Sequence, residues 1–372
     1  MPTKMKTVKA TCLCGDAQHF ITLPETDFPL QADFCHCESC RRTIGTLDFP
    51  AAALPKSYTG PGPNVIEKLI AFPFSEHLIY YSCSRCGATV LETDGSGEWG
   101  VAPGTLEKAD GIFQFKSHGF IADTIDGGSS DFFNEADGRE LDRWSRKRGV
   151  GEQLPLFWQS PDRPIVKPAA SDKLHAHCKC GGINFWIARP SERSALGQAG
   201  CPDVLLSHKD APKPTEDSAW WIRCNGTKFL AGFCSCDSCR LASGMEWVQW
   251  AFIPTVDITL DSEGRVPFSL DFGTLKSYHS SEEATRYFCK SCGAMVFWDG
   301  VSRNGGVIDV AVGLLDAPEG ARAESWLEWR TARLSYREDA LPRARANTLA
   351  LEDGMRVFGE RKLGGVVHAV AS

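Results

Sequence analysis

The sequence has few of the features that mark membrane, secreted or nucleic-acid-binding proteins. No run approaches the length of about eighteen apolar residues that a transmembrane helix needs, so no membrane span is expected. The amino terminus, MPTKMKTVK, has no apolar signal segment, which favours the cytoplasm, with the nucleus also possible. The net charge is −7 and no block of five like charges occurs. This acidic balance argues against nucleic acid or a membrane surface as a partner.

Familiar catalytic motifs are also missing. We find no phosphate-binding loop, no H-E-x-x-H pair and no nucleophile triad. The chain has sixteen cysteines in 372 residues, too few for a disulfide scaffold. Most of them lie two or three residues from another cysteine, where an unstrained disulfide is hard to close. In a reducing compartment this arrangement indicates metal binding.

Three cysteine motifs occur twice, in the same order. They are C-x-C-G, then C-x-C-x-x-C-R, then C-x-x-C-G-A. In the first half their cysteines are Cys12 and Cys14, then Cys35, Cys37 and Cys40, then Cys83 and Cys86. In the second half they are Cys178 and Cys180, then Cys234, Cys236 and Cys239, then Cys289 and Cys292. Landmarks repeated in one order predict a duplicated domain.

The repeat predicts two domains that pair with each other within the chain. The predicted ranges are 1–150 for the first domain, 151–171 for a proline-rich linker, 172–320 for the second domain and 321–372 for a C-terminal extension. Short β-branched and aromatic segments bounded by glycine or proline predict that both domains are mainly β.

Three segments carry more specific expectations. A helical pattern is clearest at 135–148 and 321–350, so the C-terminal tail is predicted to be helical. The second domain has an insertion at about 190–230, which we interpret as a surface segment or a lid over a site. Its Cys201 and Cys224 have no close cysteine partner and are predicted to be small core residues.

The first and last motifs of each half predict a closed, structural zinc site. In a strand, residues i and i+2 face the same way, so the cysteines of C-x-C aim at one point. A C-x-x-C-G turn supplies a second pair, and four thiolates complete a tetrahedral site. We call these the outer sites. Their ligands would be Cys12, Cys14, Cys83 and Cys86 in the first domain, and Cys178, Cys180, Cys289 and Cys292 in the second.

The middle motif of each half supplies three thiolates, which is one fewer than a closed zinc site has. Three protein ligands and one open position are typical of a catalytic zinc. We call these the inner sites, and predict Cys35, Cys37, Cys40, Cys234, Cys236 and Cys239 as both metal ligands and catalytic groups. Two other interpretations stay open: His36 or another group fills the fourth position, or the site holds reactive thiols without metal.

An arginine follows each inner motif. Arg41 and Arg240 could offset the negative charge of the thiolates or bind a carboxylate of the thiol substrate. Ordinary ion pairs are the competing interpretation.

With these motifs the chain resembles the glutathione-dependent formaldehyde-activating enzyme family, also called the centromere-protein-V domain, in tandem. The matching pieces are C-x-C-G, F-C-x-C-x-S-C-R-x-x-x-G and Y-x-C-x-x-C-G-A. The resemblance implies a mainly β fold of the β-tent type, with one zinc at the outer cysteines and a second at the inner cysteines of each domain. In the namesake activity glutathione and formaldehyde combine to S-hydroxymethylglutathione, a carbon–sulfur lyase reaction run towards the adduct. Some members are associated with chromatin or the cytoskeleton.

These observations predict a zinc enzyme that handles thiol–aldehyde adducts with glutathione as co-substrate. The incoming thiol would occupy the open position of an inner site as thiolate and attack the aldehyde. A larger thiol or glutathione conjugate is an alternative substrate. A non-catalytic zinc module that binds a protein or chromatin partner is the alternative from another class. Both inner motifs are intact, and the insertion slightly favours the second domain as the elaborated one.

Overall fold

The computed structural model describes residues 3–197, 199 and 219–367, which are mainly β with few helices. The strands of the first half are β1 (Met5–Ala10), β2 (His19–Pro24), β3 (Leu30–Cys35), β4 (Phe49–Ala53), β5 (Leu69–Ser75), β6 (Leu78–Cys83), β7 (Thr89–Asp94), β8 (Trp99–Val101), β9 (Phe113–Gly119), β10 (Glu135–Ala136), β11 (Arg139–Glu140) and β12 (Asp142–Arg143). Those of the second half are β13 (Lys173–His177), β14 (Asn184–Ala188), β15 (Ile222–Arg223), β16 (Lys228–Cys234), β17 (Val248–Pro254), β18 (Ile258–Thr259), β19 (Leu275–Ser281), β20 (Ala284–Cys289), β21 (Met295–Gly300), β22 (Val307–Ala311), β23 (Leu315–Asp316) and β24 (Leu327–Trp329). The helices are α1 (Glu38–Ile44), α2 (Pro63–Ile66), α3 (Asp237–Ser243), α4 (Arg337–Ala340) and α5 (Arg345–Lys362).

Each half builds one large sheet, and six strands follow the same order in both sheets. The first sheet runs β12-β9-β3-β4-β8-β7-β6-β5, and the second runs β15-β16-β17-β22-β21-β20-β19. In the first sheet β9 pairs in parallel with β3. In the second sheet β24 pairs in parallel with β16, the counterpart of β3. Strands such as β17 (VQWAFIP) and β22 (VIDVA) are buried on both faces, which explains their continuous apolar sequences. The repeated topology agrees with the repeated motifs.

The helix predicted at 135–148 is wrong. This segment forms the short strands β10, β11 and β12, and Asp142 and Arg143 of β12 pair in parallel with Ser117 and His118 of β9. The edge of the first sheet offers unpaired backbone groups there, and pairing with them outweighs a modest helical propensity.

The C-terminal tail contains the helix α5, although its first part is a strand. β24 joins the second sheet beside β16, so this sheet includes residues beyond 320, where the sequence had placed the start of the extension. Phe358 of α5 packs on Phe132 of the first domain, with ring centroids 4.2 Å apart. No helix within the described residues is both long and apolar enough to cross a membrane.

The linker and the insertion lie against the domains where they are described. In the linker, Arg163 donates a hydrogen bond to the carbonyl oxygen of Glu319 at 2.7 Å. In the insertion, Trp220 and Trp221 are buried, whereas Cys201 falls outside the described residues. The prediction of Cys224 as a core residue is wrong. It is exposed because it lies in the turn between β15 and β16, where its Sγ is 3.1 Å from Glu328 Oε1.

The two domains meet through a reciprocal pair of glycine contacts at the ends of α1 and α3. Gly313 N donates to Gly45 O at 2.9 Å, and Gly104 N donates to Gly244 O at 2.9 Å. Gly45 and Gly244 end the two helices in the left-handed conformation. A Cβ on Gly313 would stand 2.2 Å from Thr46 O, and the contact therefore requires glycine.

Gly313→Ala is expected to destabilise the protein, because the added methyl group would collide with backbone of the other domain. Overpacking of this kind costs about 1–3 kcal/mol, and a backbone neighbour can move less than a side chain. Urea unfolding of the full-length protein measures the change in free energy. Gly365→Ala is the matched control, since a Cβ there meets nothing within 4 Å. Equal unfolding midpoints for the two variants would contradict the proposed close contact.

Candidate metal centres

The outer cysteines of each domain converge, although the C-x-C pairs lie in turns after β1 and β13 and not in a strand as predicted. In the first domain the four Sγ atoms lie within 4.8 Å of one another, and Cys14 Sγ is 3.5 Å from both Cys12 Sγ and Cys83 Sγ. In a tetrahedral zinc site with Zn–S bonds of about 2.3 Å, the sulfurs stand about 3.8 Å apart. A disulfide would bring them to about 2.05 Å. These separations therefore fit a shared metal ion and exclude disulfides.

The second outer cluster repeats this geometry. Cys180 Sγ is 3.4 Å from Cys178 Sγ and 3.5 Å from Cys289 Sγ. Equivalent backbone amides support both clusters: Ala17 N donates to Cys12 Sγ, and Ile183 N donates to Cys178 Sγ. The two outer clusters are thus copies of one four-sulfur site.

In the first outer cluster the thiolate form is favoured at Cys12, whereas hydrogen bonding to Cys12 raises the pKa of Cys83 and Cys86. Hydrogen bonds from Cys83 and Cys86 lower the pKa of the Cys12 thiol to about 4. A deprotonated sulfur is the form that binds zinc. Four soft sulfurs in a tetrahedral set are typical zinc ligands, so this group could hold a zinc ion.

Each inner cluster lies where a strand gives way to a helix. In the first domain Cys35 ends β3, Cys37 is the N-cap of α1 and Cys40 is in its first turn. Cys37 Sγ accepts a hydrogen bond from Cys40 N at 3.3 Å. This cap geometry explains the C-x-C-x-x-C spacing, because it turns the three sulfurs to one side.

The second inner cluster repeats the same junction between β16 and α3. Cys236 Sγ accepts from Cys239 N at 3.2 Å. In both inner clusters three Sγ atoms lie within 4.8 Å of one another. Among residues 3–197, 199 and 219–367, no fourth His, Cys, Asp or Glu ligand atom joins either group. The donor set fits a zinc ion with one position left for another ligand.

His36 does not complete the first inner site. Its side chain is fully buried, and its Nε2 is hydrogen-bonded to His118 Nδ1 at 2.8 Å. Its Nδ1 lies 3.3 Å from Ser129 Oγ. Both ring nitrogens therefore face other partners, and the interpretation of His36 as the fourth ligand is not supported.

In each inner cluster one cysteine favours the thiolate form, and hydrogen bonding within the cluster raises the pKa of the other two. Hydrogen bonds from Cys35 and Cys40 lower the pKa of the Cys37 thiol to about 3, and the charge of Arg41 acts in the same direction. In the second cluster the hydrogen bonds from the neighbouring thiols hold the pKa of Cys239 well below its usual value, with help from the charge of Arg286.

The two motif arginines have different positions. Arg41 is buried, and its Nε donates to His36 O at 3.2 Å, close to the first inner cluster. Arg240 instead donates to Asp237 Oδ1 at 2.6 Å and reaches the carbonyl oxygen of Gly104 in the other domain. The structure therefore places Arg41 beside an inner site and Arg240 in the domain interface.

Sequence reasoning missed two side chains that contact the inner sulfurs. Arg286 Nη2 is 3.4 Å from Cys239 Sγ, and Tyr80 Oη is 3.3 Å from Cys40 Sγ. Tyr80 and Arg286 stand three residues before the C-x-x-C cysteines Cys83 and Cys289, so they are equivalent positions. Aligning the two repeats would have shown that tyrosine in one is replaced by arginine in the other. It would not have shown that these side chains contact the inner sulfurs.

A further group, His175, His177 and Asp316, also lies within 4.8 Å. Asp316 Oδ1 already accepts a hydrogen bond from Arg42 Nη2 at 2.7 Å, and Arg42 Nη1 donates to Leu314 O across the domain interface. We interpret this group as part of the interdomain ion pairing, because a buried cation already neutralises the carboxylate.

The sequence comparisons agree with the geometry. Residues 7–123 and 220–330 match the model of the family described as glutathione-dependent formaldehyde-activating enzyme. The two matched segments contain both inner clusters and the C-x-x-C halves of both outer clusters. No curated protein matches the chain. With more than half of its residues matched in two successive segments, the chain belongs to the glutathione-dependent formaldehyde-activating enzyme family.

Proposed function

We propose that this protein is a zinc-dependent enzyme that forms or cleaves the carbon–sulfur bond of glutathione–aldehyde adducts. The observation that carries the proposal is the pair of three-thiolate clusters, each without a fourth protein ligand among the described residues. The family match supports glutathione as the thiol. A zinc ion bound there would supply an open position at which an incoming thiol gives up its proton.

The residues that would hold the metal belong to two kinds of site. Two zinc ions per domain are proposed, one structural and one reactive. The structural ligands are Cys12, Cys14, Cys83 and Cys86, and Cys178, Cys180, Cys289 and Cys292. The reactive ligands are Cys35, Cys37 and Cys40, and Cys234, Cys236 and Cys239. This division follows from the number of sulfurs, since four thiolates close the coordination shell and three do not.

The surroundings of the inner sites suit a reaction in which a thiolate is the attacking group. Three thiolates and an incoming thiolate leave a formal charge of −2 on a divalent ion, so a nearby cation is needed. Arg41 in the first domain and Arg286 in the second are buried and lie next to the sulfurs. A buried guanidinium interacts more strongly with an anion than it would in solvent.

The experiment that tests this function is exchange NMR on glutathione and formaldehyde at equilibrium with their adduct. The zinc-loaded protein should raise the exchange rate well above the uncatalysed rate, which is itself appreciable. S-methylglutathione is the control, because it has no free thiol and should give no exchange. A second measurement follows the visible spectrum of cobalt-substituted protein, which should change when glutathione is added. Failure of both measurements would indicate a non-catalytic zinc module.

A further inference from the structure

The two inner sites differ in three equivalent side chains around the third cysteine. Strand register establishes the equivalence, because Cys35 pairs with Phe49 as Cys234 pairs with Val248. Leu69 likewise pairs with Cys83 as Leu275 pairs with Cys289, which aligns β5 and β6 with β19 and β20. The set in the first domain is Phe49, Phe74 and Tyr80, and the set in the second domain is Val248, Ser280 and Arg286.

In the first domain the set forms an aromatic enclosure. The Tyr80 ring lies 4.8 Å from the Phe49 ring and 4.6 Å from the Phe74 ring, between centroids. Met245, from the second domain, completes the same apolar cluster next to Cys40. The phenol is uncharged, and its hydroxyl group is directed at the Cys40 sulfur. At the third sulfur of this site there is therefore an uncharged hydroxyl group, and the nearby cation, Arg41, acts on Cys37 instead.

In the second domain two rings are replaced by smaller side chains and the phenol by a guanidinium. Arg286 is 4% exposed, and its Nη2 donates to Ser238 Oγ at 2.9 Å as well as approaching Cys239 Sγ. Its Nε and Nη1 have no hydrogen-bond partner in the part of the chain that the structure describes. Buried donors without a partner are costly, and these two lie on a guanidinium beside the sulfurs, where a ligand could use them.

No ion pair with a carboxylate among the described residues explains the position of Arg286. Asp309 lies on β22 of the same sheet and is buried, but its Oδ1 accepts from Arg303 Nη1 at 2.5 Å. No hydrogen bond between Arg286 and a carboxylate is found among the described residues. The positive charge of Arg286 is thus directed towards the sulfurs and whatever binds beside them.

We propose that the inner site of the second domain is the reacting site, and that Arg286 binds the oxygen that becomes negatively charged in the adduct. The inference rests on the proposed function and assigns the reaction to one domain. Because Arg286 contacts a ligand sulfur, an oxygen within its reach would lie only about two or three bonds from the reacting sulfur. The oxygen of an aldehyde-derived adduct meets this condition. The distant carboxylates of glutathione do not.

The step is balanced without a further reactant. The thiol loses its proton to solvent when it binds. Its sulfur then forms the carbon–sulfur bond while the π bond of the carbonyl group breaks, and that electron pair passes to the oxygen. Arg286 donates hydrogen bonds to this oxyanion, which then takes a proton from water. Cleavage of the adduct is the reverse.

The test compares Arg286→Met with Arg286→Lys in the full-length, zinc-loaded protein. Removing one oxyanion donor costs about a hundredfold in kcat in other enzymes, and we expect a loss of that size for Arg286→Met. Arg286→Lys should recover part of the rate, because it keeps the charge. Tyr80→Phe should cost less than about tenfold, since its hydroxyl group would not touch the reacting oxygen. Arg356→Met, on the exposed face of α5, is the surface control.

Binding gives a readout that does not depend on turnover. Mercaptoacetate carries a negative charge one carbon from its sulfur, whereas 2-mercaptoethylamine carries a positive charge. Calorimetric titration should show that Arg286→Met lowers the affinity for mercaptoacetate at one class of site by at least about tenfold. A loss of this size is expected when a charged hydrogen bond is removed. The affinity for 2-mercaptoethylamine should not fall.

The outcomes separate this inference from the proposed function. If the wild-type protein neither binds thiols nor accelerates exchange, the proposed function is wrong. If the wild type does both and Arg286→Met behaves in the same way, only the assignment of Arg286 is wrong. Metal analysis covers the remaining case: a variant that has lost zinc would show that Arg286 serves to hold the metal, which also overturns the inference.

Discussion

Replacing Cys86 with serine is expected to cost the protein at least about 3 kcal/mol of unfolding free energy and one zinc ion per chain, because the metal at an outer site is part of the fold. Cys86 is buried in a cluster that joins Cys14 to Cys83, 69 residues further along the chain. In zinc-finger peptides the binding energy of a structural zinc, about 10–16 kcal/mol, is folding energy. Urea unfolding and metal analysis of the same preparation measure the two losses.

Cys224→Ser is the matched control for this prediction. Cys224 is an exposed cysteine outside the cysteine clusters, and its Sγ lies 3.1 Å from Glu328 Oε1. Surface substitutions of this kind usually change stability by less than about 0.5 kcal/mol. If Cys86→Ser unfolds at the same urea concentration as Cys224→Ser and keeps its zinc, the outer cluster is not a structural metal site.

Replacing the N-cap cysteines of both inner motifs, Cys37→Ser with Cys236→Ser, is expected to abolish the catalysed reaction and leave the fold in place. The inner clusters hold three sulfurs each and join residues that are close in sequence, so their metal closes no long loop. Each substitution should lower the zinc content by one, from about four to about two ions per chain in the double variant. Exchange NMR should then return the uncatalysed rate.

The comparison between outer and inner variants decides which metal is structural. The double inner variant should unfold within about 1 kcal/mol of wild type, because serine still caps both helices. If it unfolds as readily as Cys86→Ser, the inner metal is structural and the open position has no catalytic meaning. If it keeps full zinc content, the three-sulfur clusters are not metal sites at all.

The cysteine clusters could be predicted from the sequence because the geometry of each cysteine pair is local. C-x-C at a strand end and C-x-x-C in a turn or at a helix N-cap bring two sulfurs together whatever the rest of the fold does. The repeat then identified which pairs belong to one domain. The β architecture followed from the same regularity, since six strands recur in the same order in each sheet.

The remaining features depend on long-range contacts that a single sequence does not reveal. Arg286 meets Cys239 from a strand 47 residues away, and only the sheet register brings them together. Arg240 follows its motif as Arg41 does, yet Asp237 and the other domain hold it away from the sulfurs. The error at 135–148 has the same origin, because the partner strand β9 decides its conformation.

The reciprocal contacts at the ends of α1 and α3 have a consequence for how the two inner sites could evolve. Leu13 N donates to Leu241 O of α3, and Lys179 N donates to Arg42 O of α1. The C-x-C turn of each half is thus hydrogen-bonded to the helix that follows the inner cysteines of the other half. In a homodimer with this interface, the two inner sites would have identical side chains, because both chains would have the same sequence. Two copies in a single chain are free of that constraint. The glycines that join the halves form the same contact in both copies, whereas one copy has tyrosine and the other arginine beside its inner cysteines.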